Sequence, residues 1–363
     1  MRTYEINEMT SCVKDRTVNE LNSQSPIVKA YSAMTNGQSI DSIKDAMGKN
    51  VGQKCANHIK ELNAKAEAGD RSAIAELNTI RTYAIEPIVL EEIKLMGFFG
   101  DFEQVGYNED IKRKVTKQSI STRGQALNGD VPFSFNYEDE YGVPTTSLSA
   151  GYEVDYRKAQ FGDMSAENTL MQNIQTDIIN KAKGYAFDKV ISAVSNATIK
   201  NYAAGITRQN VQNVIDKARP FGRISLVGDT SAVIKLNPIA TYADLNTPPY
   251  VNISQEAMEE IRKNAYISNI MGATVLGIDN AYDLSKLNAA GTWFDKIAND
   301  RYIYVVPSGI ESPIKLWTRG GLTSFTGNDV STGKLLTRYD LEVAADIAKG
   351  EEYKIGLIDT VSG

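Results

Sequence analysis

Apolar and polar residues change period several times along this chain, and the clearest stretch is residues 111–157. There Phe133, Phe135 and Tyr137 alternate with Ser134, Asn136 and Glu138, and Leu148, Ala150, Tyr152, Val154 and Tyr156 alternate with Ser149, Gly151, Glu153, Asp155 and Arg157. A period of two places successive side chains on opposite faces of an extended strand. The spacing predicts a long antiparallel hairpin whose arms are joined across DEYGVPTTS, a connection too long for a two-residue turn. So many polar positions leave only one face to bury. A two-stranded ribbon is marginal in water, so that face must rest on something, a neighbouring copy of the chain included.

Elsewhere the period is helical. Residues 1 to about 100 are polar with weak amphipathic runs (Ile40, Ile43, Ala46, Met47; then Ala73, Ile74, Leu77, Ile80), ended by Pro87 and residues 97–100, and predict an amino-terminal arm or helical extension. Ser165 is a candidate N-cap with Glu167 behind it, and Leu170, Ile174, Ile178, Ala182, Tyr185 and Val190 then recur at helical spacing. A helix of about thirty residues would run roughly 45 Å. Thr207 caps a second helix bearing Val211, Val214, Ile215 and Ala218, stopped by Pro220 and Gly222, with a short strand at 224–227. Ser254 opens a third, with Glu256 near its start and Met258, Ile261 and Ala265 on one face, followed by the apolar stretch 270–278. Residues 205–290 thus read as a mixed α and β subdomain.

The last sixty residues read as strands. Residues 301–306 end at Pro307, and residues 314–318 are followed by the Gly-rich loop RGGLTSFTGNDVSTGK. The alternation Tyr339, Leu341, Val343, Ala345, Ile347 is answered by Tyr353, Ile355 and Leu357 across residues 349–352, which predicts a hairpin. No fixed-period repeat is visible, against solenoids and propellers.

Composition narrows the class. At 363 residues the chain exceeds what one hydrophobic core usually fills, and 42% hydrophobic against 23% charged residues argues for folding rather than disorder. No stretch is apolar enough to span a membrane and the amino terminus lacks a signal-peptide core, so the expectation is a soluble protein kept inside the cell. Cys12 and Cys55 are too few for a disulfide framework or a Cys-based metal site. A net charge of −6 removes the usual footprint of tight phosphate binding, so any contact with DNA should be weak and nonspecific.

Chemistry is sparse. The single histidine, His58, sits in a polar helical run with no ligand-spaced partner and reads as a solvated residue; it has no Gly-x-Ser-x-Gly elbow to serve. The stretch from Gly327 to Lys334 misses a phosphate loop: it has five residues between its glycines, no Ser or Thr after the lysine, and a strand where a helix should follow. The acidic groups Glu138-Asp139-Glu140 and Glu259-Glu260 fit solvated faces. The first lies near Lys112, Arg113, Lys114 and Lys117, so complementary charge between neighbouring copies is an alternative to plain solubility. No catalytic, cofactor-binding or metal residue is assigned, and no cofactor is expected.

The order of these pieces resembles the Hong Kong 97-type capsid fold of tailed-bacteriophage major capsid proteins, shared with encapsulins. The segment ISQEAMEEIRKNAYISNIMGATVLGIDNAYD, with Gly272 opening its strand, and the ending LLTRYDLEVAADIAKGEEYKIGLID are similar to that family's helix-strand pair and closing strands. The resemblance covers residues 100–363 and implies an α+β fold: a helical extension (1–105), an extended β-ribbon (106–163), a spine helix (164–204), an axial domain (205–295) and peripheral strands (296–363). It implies a structural subunit, not an enzyme. Copies would form hexamers and pentamers of an icosahedral shell around double-stranded DNA, assembled in the host cytoplasm with a scaffolding protein and a portal and without a membrane. The candidate intersubunit residues are Lys112, Arg113, Lys114, Lys117, Phe133, Phe135, Tyr137, Glu138, Asp139, Glu140, Tyr152 and Tyr156. An encapsulin-like compartment, another phage structural protein and a mixed α/β metabolic enzyme are the alternatives. The family's lysine-asparagine cross-link cannot be placed by motif here.

Overall fold

The computed structural model describes residues 21–22, 24–44, 50–118, 133, 136–155, 164–240, 255–288, 290–308, 312–329 and 334–361. Helices α1 (Pro26–Thr35), α2 (Val51–Glu67) and α3 (Arg71–Lys94) are followed by strands β1 (Asp101–Val105), β2 (Lys112–Gln118), β3 (Asn136–Gly142) and β4 (Thr146–Asp155). Helix α4 (Met164–Asn196), β5 (Asn201–Ala204), α5 (Arg208–Ala218), β6 (Arg223–Asp229), α6 (Thr230–Ile234), α7 (Asn237–Ala240) and α8 (Gln255–Asn264) come next. The chain closes with β7 (Asn269–Ile270), β8 (Ala273–Ile278), β9 (Tyr282–Leu287), β10 (Phe294–Lys296), β11 (Tyr302–Ser308), β12 (Ile314–Asp329), β13 (Lys334–Ile347) and β14 (Gly356–Asp359). The class is α+β. Two compact units draw on three stretches each: residues 1–96, 146–183 and 320–343, and residues 97–145, 184–319 and 344–363.

In the first unit the amino-terminal segment is a packed helical block. Asn50 caps α2 by accepting the Gln53 N–H at 2.8 Å. Cys55, Ile59, Leu62 and Ala66 then bury one face of α2, and Leu77, Ile80, Ala84, Ile85, Val89 and Ile93 bury one face of α3. Pro87 was expected to end this helix but lies inside α3. A proline costs a helix about 3 kcal/mol, and burial of both flanking halves outweighs that. His58, expected in solvent, joins α2 to α3: its Nε2 lies 2.9 Å from Glu76 Oε1, with both side chains largely covered.

The strand pairing departs from the sequence expectation. The ribbon arms are β2 and β3, in antiparallel register from Lys112↔Gly142 to Gln118↔Asn136. Strand β4 pairs with β13 instead, from Lys334↔Asp155 to Val343↔Thr146. Local alternation marks a strand but does not choose its partner. Here the polar β3 finds opposite charge on β2, while β4 lays Tyr152 on Tyr339, ring centroids 6.3 Å apart and nearly parallel. The Gly-rich stretch expected as a loop is strand through Asp329. Its Gly321 lets the Glu86 carboxyl of α3 sit against the backbone where a Cβ would collide. The expected closing hairpin also fails: β13 belongs to the sheet of order β1-β12-β13-β4 and β14 to another, separated by a turn at Gly350 (φ 83°) and a short 3-10 helix, Glu352–Lys354.

The second unit is built on a six-stranded sheet of order β5-β14-β11-β6-β8-β7, with β11 and β7 antiparallel to their neighbours. Alternation along β11 divides its faces: Ile303 and Val305 pack with Val211, Val214 and Ile215 of α5, while Tyr304 meets Phe187 at 4.8 Å and Phe99 at 5.7 Å. Thr207 caps α5 as expected, accepting the Asn210 N–H at 3.2 Å. Ser165 lies inside α4 rather than capping it, and Ser254 lies outside the described residues.

Two carboxylates fasten this sheet. Arg301 donates from Nε and Nη2 to the buried Asp359 at 2.7 and 2.5 Å, and Tyr202 adds its hydroxyl at 3.1 Å. Lys296 donates to both oxygens of Asp229 at 2.9 Å, and Ser231 adds its backbone N–H at 2.7 Å. The Arg301 guanidinium holds the Asp359 carboxyl below its ordinary value of 3.8. At Asp229 burial alone would raise the pKa, but bonds from Ser231 and Lys296 outweigh it and the net shift is downward. Both groups are depressed on folding, so their contribution is present above the unfolded carboxylate pKa and is lost as pH falls below about 4. Denaturant melts at pH 7, 5 and 3 should show stability falling steeply over the last interval, and Asp359→Asn should be less stable at pH 7 with a shallower acid loss.

Candidate assembly surfaces

The ribbon has a fixed base and an exposed body. At the base Ile111, Val143, Trp317 and Ala344 form a small buried cluster. Alternation then turns Arg113 inward, where Nη1 donates to the Asp346 carbonyl at 3.2 Å and Nη2 to the Pro313 carbonyl at 2.9 Å. Tyr141, opposite Arg113 in register, donates to Asp346 Oδ2 at 2.6 Å and lies under the Lys349 ammonium, 4.1 Å from its ring. Burial, helped by the bond to Asp346, pushes the Tyr141 phenol well above its ordinary range, so it stays a donor at any physiological pH.

Beyond this base Lys112, Lys114, Thr116 and residues 137–140 face water. Lys112 pairs with Glu140 at 3.2 Å across the ribbon, and the register sets Lys114 opposite Glu140 and Thr116 opposite Glu138. The charge complementarity anticipated between copies is therefore at least partly satisfied inside one ribbon, because antiparallel pairing puts these residues on the same face. Glu138, Asp139 and Tyr137 remain exposed, Lys117 is opposite Tyr137 in register, and Phe133 is 93% exposed. Two expected interface residues are largely buried within the single chain: Arg113 holds the ribbon base and Tyr152 stacks on Tyr339. Phe135 and Tyr156 lie outside the described residues.

Two further surfaces escaped the sequence reading. In the first unit Phe325, 59% exposed, and Leu336 border an open hollow of about 940 Å³ whose wall also includes Gly151 and Gly327. The bonds Arg338 to Asp340 (2.8 Å) and Lys334 to Glu153 (2.5 Å) flank it. The signal was available: in LLTRYD, Leu335 and Leu336 cannot both face inward on a strand. In the second unit the β9–β10 pair exposes Tyr282, Leu287 and Trp293, the tryptophan ring edge-on to Tyr282 at 6.2 Å.

Catalytic geometry is not among these features. Cys55 is a buried free thiol pushed up to about 12 by burial, which makes it a poor nucleophile. Among the described residues no group of three or more His, Cys, Asp or Glu is placed to hold a metal, and no helix is long and apolar enough to cross a membrane.

Residues 5–359 match the sequence model of the family described as "SPbeta prophage-derived putative capsid protein YonB". The chain belongs to this family. No curated protein sequence matches. Solved structures with similarity include one from Microbacterium phage Oxtober96, at 9% identity over 71% of this chain and 88% of that one, TM-score 0.48. The capsid of an empty GTA particle is similar at 15% identity over 74% and 89%, TM-score 0.46. A virus-like particle from Pyrococcus furiosus is similar at 8% over 76% and 97%, TM-score 0.44.

For a YonB-family subunit, the division between buried and exposed ribbon residues is directly measurable. Arg113→Met removes the donors to two buried carbonyls and should cost about 2–4 kcal/mol. Lys114→Met on the exposed face should stay within about 0.5 kcal/mol. Urea unfolding of both variants checks this, and equal losses would contradict the buried anchor.

Proposed function

We propose that this chain is the major structural subunit of a phage or prophage head: copies self-assemble in the host bacterial cytoplasm into an icosahedral shell of pentamers and hexamers around double-stranded DNA. The observation that carries this reading is the capsid-family match across residues 5–359, nearly the entire chain. A Hong Kong 97-type arrangement is supported by the element order: a ribbon at residues 112–142, a helix of 33 residues, a subdomain on a six-stranded sheet, and β12 and β13 in a four-stranded one. A scaffolding protein and a portal belong to this reading as partners, and the net charge of −6 suits packaged DNA touched weakly and without sequence preference.

The ribbon supplies a subunit contact in this reading. Its exposed part is aromatic and acidic (Phe133, Tyr137, Glu138, Asp139), and the hollow beside Phe325 and Leu336 is mostly apolar, with Arg338 and Glu153 in its wall. A ribbon from one copy laid over that hollow on the next makes a heterologous contact that repeats around a ring. Each contact can be weak, because closure multiplies it.

Negative-stain electron microscopy of the protein, expressed alone and passed over a sizing column, should show closed shells, rings or tubes in the void volume. Co-purifying nucleic acid would agree with a phage head, and an enclosed enzyme would place the chain with encapsulin-like compartments. A chain that stays monomeric with crowding agent and candidate scaffold would overturn the shell reading. Leu336→Asp should reduce particle yield at least tenfold while changing the monomer's urea midpoint little.

A further inference from the structure

We infer that the helical block of residues 24–94 is a permanent wall element, folded into one core with strands β12 and β13 of the first unit, and is not a segment removed or displaced as the shell matures. The inference rests on the shell reading for its setting, and on the first unit's own packing for its substance.

The block is attached at separated points through buried groups. The Arg81 side chain, 1% exposed, donates from Nη1 to Thr326 on β12 at 3.0 Å and Thr337 on β13 at 3.3 Å, and from Nη2 to Asn63 on α2 at 3.4 Å. One turn away Ser324 of β12 donates to the Asn78 carbonyl at 2.7 Å and shares a bond with Thr82 at 2.8 Å. The next turn brings the Glu86 carboxyl over Gly321, where it accepts the Leu322 N–H. At the other end of the block, Tyr31 donates to the sulfur of Met171 at 2.9 Å and Thr35 accepts from Gln172, both on α4.

These contacts distinguish a core layer from a detachable one. Loss of the block would strip Thr326 and Thr337 of the guanidinium bound to them and would leave the Gly321 backbone bare. Detaching it intact would carry Arg81, which cannot shed its charge, away from Thr326 and Thr337 and leave it Asn63 alone of these three acceptors. Leu77, Ile80, Ala84, Ile85, Val89 and Ile93 of α3 are buried as well. A segment meant to leave would be held by exposed contacts that open separately, and few of these are exposed.

The test uses the full chain with a specific protease site inserted at the turn between α2 and α3. That turn contains Gly69 (φ +86°), with no atom within 4 Å of where its Cβ would lie. After cutting, the piece carrying α1 and α2 should co-elute without denaturant with the piece carrying α3 and the strands, and the melting temperature should drop by a few degrees at most; collapse of the remainder once α1 and α2 are stripped also supports one core. An amino-terminal piece that elutes separately from a folded remainder with unchanged melting would overturn the inference. In purified particles, intact mass should find residues 24–94 in every subunit, and subunits lacking them would overturn it as well. Failure to form particles at all would count against the shell reading alone, since the cut-turn result needs no shell.

Discussion

A guanidinium in the interior of a protein stays charged, so every element supplying its hydrogen-bond partners is committed to one arrangement. Arg81 imposes that condition on the first unit. Its acceptors are threonines on two adjacent strands and an asparagine on a second helix, groups with little other reason to lie under a helix. Removing one neutral acceptor from a charged donor typically costs about 1.5–3 kcal/mol, because part of a buried charge then loses a hydrogen bond. The helical block, the β12–β13 strands and the Gly321 approach follow from that constraint, since Glu86 reaches its backbone position only when α3 is set at the register Arg81 requires.

Most element types were legible in the sequence, residues 319–329 and 352–354 apart, and partners were not. The periods of α4 and α5 and the Thr207 cap are local properties, and they appear where the spacing puts them. Strand pairing is decided by cross-strand neighbours that alternation cannot name. Residues 133–137 and 146–156 are close in sequence and similar in pattern, yet β3 pairs with β2 because acidic residues meet lysines there, and β4 leaves to stack Tyr152 on Tyr339. The same limit applied at the end of the chain, where β13 and β14 alternate in the same way and join different sheets.

The candidate surfaces were legible to a different degree. Exposure of Glu138 and Glu140 follows from a ribbon with one polar face, whereas Phe133 and Tyr137 belong to the apolar row read as covered and are exposed as well. Arg113 stands in phase with Ile111 and Val115, so alternation turns it inward, but the carbonyls of residues 313 and 346 that receive its guanidinium are far away in sequence and no local pattern names them. Leu336 was readable as a misfit, a second leucine in phase with solvent, and a misfit on a strand is where a partner surface is to be sought.

The two ends of the ribbon answer opposite demands. Its base is held by a buried cation, a phenol locked as a donor and a tryptophan whose Nε1 donates to Glu103 at 3.2 Å, which fixes the direction in which the strands leave. Its body carries exposed charge and aromatic groups that a single copy leaves in water. A rigid base spares much of the ordering entropy that a flexible arm would lose on contact, so a modest apolar contact beyond it can be productive. An exposed body rich in charge keeps the separate copy soluble before that contact forms. Holding the base and leaving the body open therefore reconciles a subunit that must stay apart while being made with one that must join many others, and the division falls where burial stops, at Val115.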